Sequence, residues 1–146
     1  VGREVAIKQI RADFANRPEF IRQFEAEAQM VAHIEHPHVV PLYDFWREPS
    51  SAFLVMRWFR GGTLEQKLFE RPLELEELRQ MVAQVGSALS ASHRSGVIHR
   101  DVKPANILLD DEGNFFLGDF GIALEGERRF DPEAALSAGS PAYAAP

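Results

Sequence analysis

Five side chains able to handle charge or protons fall into three short clusters. Lys8 closes Val5-Ala-Ile-Lys8. Asp101, Lys103 and Asn106 share the stretch Ile98-His-Arg-Asp-Val-Lys-Pro-Ala-Asn106, and Asp119 opens Asp119-Phe-Gly121. Carboxylate and carboxamide oxygens such as those of Asp119 and Asn106 are donors that a hard cation like Mg2+ accepts. A lysine ammonium is a compact point charge of the kind that meets a phosphate. A loop carboxylate such as Asp101 can take or orient the proton of a hydroxyl. One at a time these residues have plainer readings: Lys8 as a solvated strand lysine, His99 as a packed core residue, Trp46 and Trp58 as packing. His33, His36 and His38 lie close in sequence, but no carboxylate cluster accompanies them to complete a metal site.

The elements that must position these residues follow from the apolar pattern. Glu4 to Ile10 predicts a strand, β-branched at 5 and 7 and broken by Lys8. Asn16-Arg-Pro-Glu19 signals a helix start: Asn16 can cap, Pro18 suits the first turn, and Glu19 stands at capping-box spacing. Phe20, Phe24, Ala28 and Val31 then form one stripe of that helix. Val39–Trp46 and Ala52–Trp58 predict two strands joined through Glu48-Pro-Ser-Ser51. Gly61-Gly62 breaks the pattern and Thr63 is placed to cap a short helix. A longer helix runs from about Leu75 to Ser95, with Leu78, Met81, Val82, Val85, Ala88, Leu89 and Ser92 on one face and Gly96 as its terminator. Two short apolar runs, Ile107–Leu109 and Phe115–Leu117, flank a turn-like Asp-Asp-Glu-Gly-Asn. From Leu124 onward the periodicity vanishes, as in a surface segment. Strands first and helix later make the class α+β.

Composition sets the outer limits. The 146 residues, 45% apolar and 26% charged, suffice for a buried core. A net charge of −6 without a Lys/Arg block argues against a nucleic-acid-binding module. With no cysteine, disulfides and thiolate metal sites are excluded. No apolar run approaches the roughly 20 residues of a membrane-spanning helix. The opening Val-Gly-Arg-Glu has no initiator Met, so the chain reads as a piece of a longer one.

The three clusters, in this order, match the protein-kinase signature set, and the chain resembles a bacterial eukaryotic-like serine/threonine protein kinase. The resemblance implies a two-lobed, truncated kinase fold. Residues 1–59 would be a small-lobe remnant and hinge lacking the first two strands and the glycine-rich loop. Residues 60–146 would be the large-lobe part with catalytic loop and activation segment, lacking the C-terminal helices. The implied cofactors are ATP and Mg2+, with Mn2+ as an alternative. The implied partners are proteins with Ser/Thr hydroxyls, in the cytoplasm; membrane anchoring of the parent and its oligomeric state are left open.

The family's roles carry over position by position. Asp101 is the catalytic aspartate, and Lys103 steadies the transferring phosphate. Asn106 and Asp119 are the metal ligands. Lys8 meets the α- and β-phosphates and is held by a helix glutamate. Glu25 and Glu27 point about 200° apart on a helix, and Glu27 lies on the Phe20–Phe24–Val31 side, which favours it. Ala6 and Leu108 would sandwich the adenine ring. Met56 is the gatekeeper, while the Arg57 carbonyl and Phe59 amide would bond the adenine edge; Arg57 stands where the family often has an acidic residue. Val31, Leu42, His99 and Phe120 would form the hydrophobic stack of the active state. Arg100 would receive an activation-loop phosphate, for which Ser137 is the candidate between Leu124 and Gly139. Ser140, in the docking turn Gly139-Ser-Pro-Ala-Tyr143, would contact Asp101 and Lys103. His36-Pro37-His38 is how the family links this helix to the next strand. The alternatives are a pseudokinase or nucleotide-binding scaffold, and an aminoglycoside-type phosphotransferase, which usually lacks Asp-Phe-Gly and the docking turn. The isolated fragment is expected to be weakly active or inactive.

Overall fold

The computed structural model describes residues 2–10 and 18–121. Asn16, the side chain of Glu19, and everything from 122 on, including Ser137 and Ser140, lie outside the described residues. The chain divides into two compact units, and 34–40 belongs with the second although it leaves a helix of the first.

The first unit is an antiparallel sheet with a helix. Strands β1 (Val5–Ile10), β2 (Leu42–Glu48) and β3 (Ser51–Arg57) take the order β1-β3-β2. The β1 register runs from Val5↔Arg57 to Ile10↔Ala52, which sets Ala6 opposite Met56 and Lys8 opposite Leu54. Alternation along β1 leaves Val5, Ile7 and Gln9 exposed and turns Ala6, Lys8 and Ile10 inward. Lys8 therefore sits on the more buried face of the strand. Helix α1 (Pro18–Ala32) buries the expected stripe: Phe20, Phe24, Ala28 and Val31 are each less than 9% exposed. The Phe24 ring stacks on Phe20 at 5.8 Å and meets Phe45 of β2 edge-on at 6.2 Å, which seats the helix on the sheet. Strand β2 begins at Leu42 rather than Val39. Pro41 has no N–H to give a ladder, and Val39 instead pairs with Leu117 in the second unit.

The second unit is built on helix α3 (Leu75–Arg94) and a hairpin of β4 (Ile107–Leu109) and β5 (Phe115–Leu117). Helix α2 (Leu64–Glu70) precedes α3 and starts with a capping box: the Thr63 hydroxyl accepts from the Gln66 N–H, and Gln66 Oε1 accepts from the Thr63 N–H. Glu77, at the third position of α3, accepts from Arg71 at 2.7 and 2.8 Å, from the Glu74 N–H, and from Lys67 at 2.9 Å. These bonds, Arg71 foremost, hold its carboxyl well below the usual carboxylate range. Gly96 ends α3 at φ 77°, as expected of a left-handed terminator.

The apolar face of α3 is divided. Val85, Ala88, Ala91 and Ser92 are buried, whereas Leu78 and Val82 are 43% and 60% exposed. The strands of the hairpin are only three residues long. Their turn reaches the helix at Gln80 and Gln84, so Leu78 lies beyond the turn, and Val82 stands about 60° off the line of Val85.

Within the second unit, the loop before α2 approaches the hairpin so closely that only glycine fits. The Gly61 N–H donates to the Leu109 carbonyl at 3.0 Å, and a Cβ at Gly61 would come within 2.5 Å of the Asp110 oxygen. Backbone atoms cannot swing aside. Gly61→Ala is expected to destabilise the second unit by about 1–3 kcal/mol, read as a lower urea midpoint at unchanged m; an unaltered midpoint would contradict the close approach.

Candidate active site

Asn106 and Asp119 leave the same end of the hairpin. The register Ile107↔Leu117 closes the ladder, and the next rung is a single bond from the Gly118 N–H to the Asn106 carbonyl at 2.9 Å. Asn106 belongs to a one-turn helix, Pro104–Asn106, whose proline at the first position suits such a start. Its side chain is 4% exposed. The Nδ2 donates to both the Asp101 main-chain carbonyl at 2.8 Å and Asp101 Oδ2 at 3.0 Å. Lys103 Nζ meets the same Oδ2 at 3.1 Å. Thus one oxygen of Asp101 is clamped from two sides. Asp101 Oδ1 and Asn106 Oδ1 have no protein partner among the described residues.

His99 ties this loop to the hairpin. The ring is 1% exposed; Nδ1 accepts the Asp101 N–H at 3.2 Å, and Nε2–H donates to the Gly118 carbonyl at 2.7 Å. Both contacts require the neutral imidazole. Burial lowers its pKa, against opposing pulls from the Gly118 carbonyl, Asp101 and Asp119. Phe120 packs on the ring at 4.6 Å between centroids. Among the described residues, Arg100 at φ 67° and Asp119 at φ 54° are the non-glycine residues in the left-handed region, and they flank this histidine's two contacts. Such conformations cost of order 1–3 kcal/mol each and persist where surroundings dictate them. Gly118 admits no side chain, since a Cβ would meet Val40 Cγ2 at 2.9 Å.

The structure brings together Asp101, Lys103, Asn106, Asp119, His99 and Phe120, all in the second unit. Leu108, on β4, bridges to Thr63, and Phe59 is buried with its ring 4.5 Å from Phe116. Ala6, Lys8, Glu27, Met56 and Arg57 stand in the first unit. Met56 pairs with Ala6 on one side and Leu42 on the other, and the Arg57 N–H donates to the Pro41 carbonyl at 3.2 Å. Glu27 is half-buried on α1 and accepts from Gln23 Nε2 at 3.2 Å, while Glu25 is exposed and reaches Arg47 at 3.9 Å. Arg100 is exposed. Each of His33, His36 and His38 engages its Nδ1 with a backbone group. Two features escaped the sequence reading. One is the double donation from Asn106 to Asp101. The other is an amide cluster of Gln80, Gln84 and Asn114, signalled only by two glutamines four residues apart beside an apolar helix face.

A family model described as protein kinase domain matches residues 1–146. Serine/threonine-protein kinase PrkC of Bacillus subtilis is 43% identical over 84% of this chain and 19% of its own length. Serine/threonine-protein kinase PknA of Mycobacterium tuberculosis is 36% identical over all of this chain and 35% of its own. The crystal structure of a point mutant of the Mycobacterium tuberculosis PknI kinase domain superposes with a TM-score of 0.73 at 32% identity, covering 82% of this chain and 49% of that one. The chain thus spans about half of a solved kinase domain and a smaller share of the curated relatives.

The lowered pKa of His99 has a signed consequence. The His36 pKa is lowered too, by burial first and then by His38 and Arg94. Each such histidine takes up its proton more readily in the unfolded chain. Stability is therefore complete above the ordinary value of 6.5 and declines as pH falls below it, towards the lowered folded pKa. Urea unfolding between about pH 7.5 and about pH 5 should show this decline. His99→Gln, which keeps one donor and one acceptor, should flatten it; an unchanged slope would remove His99 as a source.

Proposed function

The chain belongs to the protein kinase family, and from that membership we propose that it carries the catalytic centre of an ATP-dependent serine/threonine protein kinase. The observation that carries this reading is the clamp on Asp101. Asn106 and Lys103 fix Oδ2, and Oδ1 is left to accept the proton of a Ser/Thr hydroxyl or to orient it. Lys103 sits beside the same carboxylate, where its charge can steady the phosphoryl group as it moves.

A divalent cation fits the residues present. The Asn106 Nδ2 is committed to Asp101, which turns a nearly buried oxygen, Oδ1, away from it, and Asp119 leaves the same end of the hairpin. In this reading Asn106 and Asp119 hold Mg2+, or Mn2+, as hard oxygen donors. When bound, the ion neutralises charge on the phosphates. Lys8, on the inward face of β1, is assigned to the α- and β-phosphates, with Glu27 as its orienting partner. Ala6, Leu108, Met56, Arg57 and Phe59 are assigned to the adenine. Regulation falls to Arg100, Phe120, Ser137 and Ser140. We place the activity in the cytoplasm.

The isolated 146 residues are proposed to be weakly active or inactive. Phe69 is 94% exposed, Leu75 64% and Val82 60%, so in the isolated chain the apolar area of these side chains adds little to the burial that stabilises a fold. Phosphate transfer by the isolated chain at the rate of the full-length protein would overturn that statement. The mechanism has its own test. In the full-length protein with Mg-ATP, Asp101→Ala is expected to lower kcat by roughly 10²–10⁴-fold, and transfer at the wild-type rate would refute the assignment.

A further inference from the structure

Strand β5 is only three residues long, yet its outer edge is fully paired. The Phe115 N–H donates to Gln84 Oε1 at 2.8 Å, and the Phe115 carbonyl accepts from His38 Nδ1 at 3.0 Å. The Leu117 N–H donates to the His38 carbonyl at 2.8 Å, and the Leu117 carbonyl accepts from the Val40 N–H at 2.9 Å. At the turn end, then, the edge is held by a side chain of α3.

The identity of each amide end follows without ambiguity. A backbone N–H can only donate, so the atom of Gln84 facing Phe115 is oxygen. Gln84 Nε2 therefore donates to Asn114 Oδ1 at 3.2 Å, which also accepts from Gln80 Nε2 at 3.2 Å. Asn114 Nδ2 in turn donates to Asp110 Oδ2 at 3.0 Å, and Asp110 Oδ1 accepts the N–H groups of Glu112 and Asn114. The bonds run in one direction from a buried strand amide through the helix to the turn. Phe115 is 1% exposed, so in the folded chain its N–H depends on Gln84 for a partner.

A hairpin this short has little stability of its own, and its far end carries Asn106 and Asp119. We propose that Gln84 is a positioning residue of the metal site: with Asn114 it locks the turn end of the β4–β5 hairpin and thereby sets where Asn106 and Asp119 stand at the other end. The proposal rests on the reading of those two residues as the divalent-cation ligands. Hydrogen bonds one step removed from a ligand commonly govern metal affinity by 10–100-fold, and here the step is a strand rather than a direct bond.

The test uses the full-length protein, with Mn2+ as probe in the presence of a non-hydrolysable ATP analogue. Bound Mn2+ is counted by electron paramagnetic resonance, and exchange at the Phe115 amide is followed in parallel. Gln84→Met removes both polar ends. It is expected to weaken Mn2+ binding about tenfold and to speed exchange at Phe115, with metal-free analogue affinity unchanged. Gln84→Glu keeps an oxygen for the Phe115 N–H but loses the donor to Asn114 Oδ1, so it should lose less Mn2+ affinity than Gln84→Met without regaining the wild-type value. Wild-type Mn2+ affinity in Gln84→Met overturns the proposal, as does an equal loss in both variants. If Gln84→Met fails to fold, Asn114→Ala replaces it; a loss of Mn2+ affinity supports the relay, and none overturns it. Wild-type protein that binds Mn2+ no better than Asp119→Asn defeats the metal-site reading itself, and the proposal with it.

Discussion

One carboxamide decides the shape of the site. Asn106 is almost out of reach of solvent, and a buried amide must place both its hydrogens and its oxygen. Its two donations to Asp101 fix the loop through Asp101 from the main chain and the side chain at once. Leu or Met would fill the volume but leave the Asp101 carbonyl and one carboxylate oxygen short of a donor. Asp would set a second negative charge against the first. Only a group that donates on one side and offers an oxygen on the other keeps Asp101 clamped while leaving an acceptor over, and that acceptor is what the proposed cation role of Asn106 draws on.

Asn106 can do this because the hairpin behind it is immobilised. Strand β5 lies between β4 and the segment through Val39, and its polar edge groups have named partners on both sides. The left-handed conformations of Arg100 and Asp119 are the counterpart of that order. A chain leaving a pinned strand and a pinned loop has few ways to turn, and two residues take up the misfit. Among the described residues this strain falls at the ends of the hairpin and its loop, where side chains must project, and β4 and β5 keep an unbroken register.

How much of this could be read in advance differs by level. The apolar runs at 107–109 and 115–117 were legible to the residue, and the structure makes each of them a strand of the hairpin around Asp-Asp-Glu-Gly-Asn. The buried stripe of α1 was legible too, its period being uninterrupted from Phe20 to Val31. The start of β2 was not. Val39 and Val40 look like strand residues and do pair, but with Leu117, far along the chain, and local pattern carries no information about partner. On α3 the pattern named the apolar residues correctly and overstated how many the hairpin would cover, since exposure depends on the length of what packs against the helix. At the site, residue types and order were visible, while the bonds from Asn106, Gln84 and Asn114 were not. A hydrogen-bond network of amides has no period.

His99 shows how stability and site geometry become the same quantity. Its ring is held by one bond that needs Nδ1 unprotonated and another that needs Nε2 protonated, so the neutral tautomer alone satisfies both. The first bond ends on the main chain of Asp101 and the second on the residue before Asp119. A proton added to Nδ1 turns an acceptor into a donor facing another donor and releases the loop that carries Asp101. Burial resists that proton, while Asp101 and Asp119 favour it. The ring holds its place because desolvation outweighs the pull of the two carboxylates it helps to position.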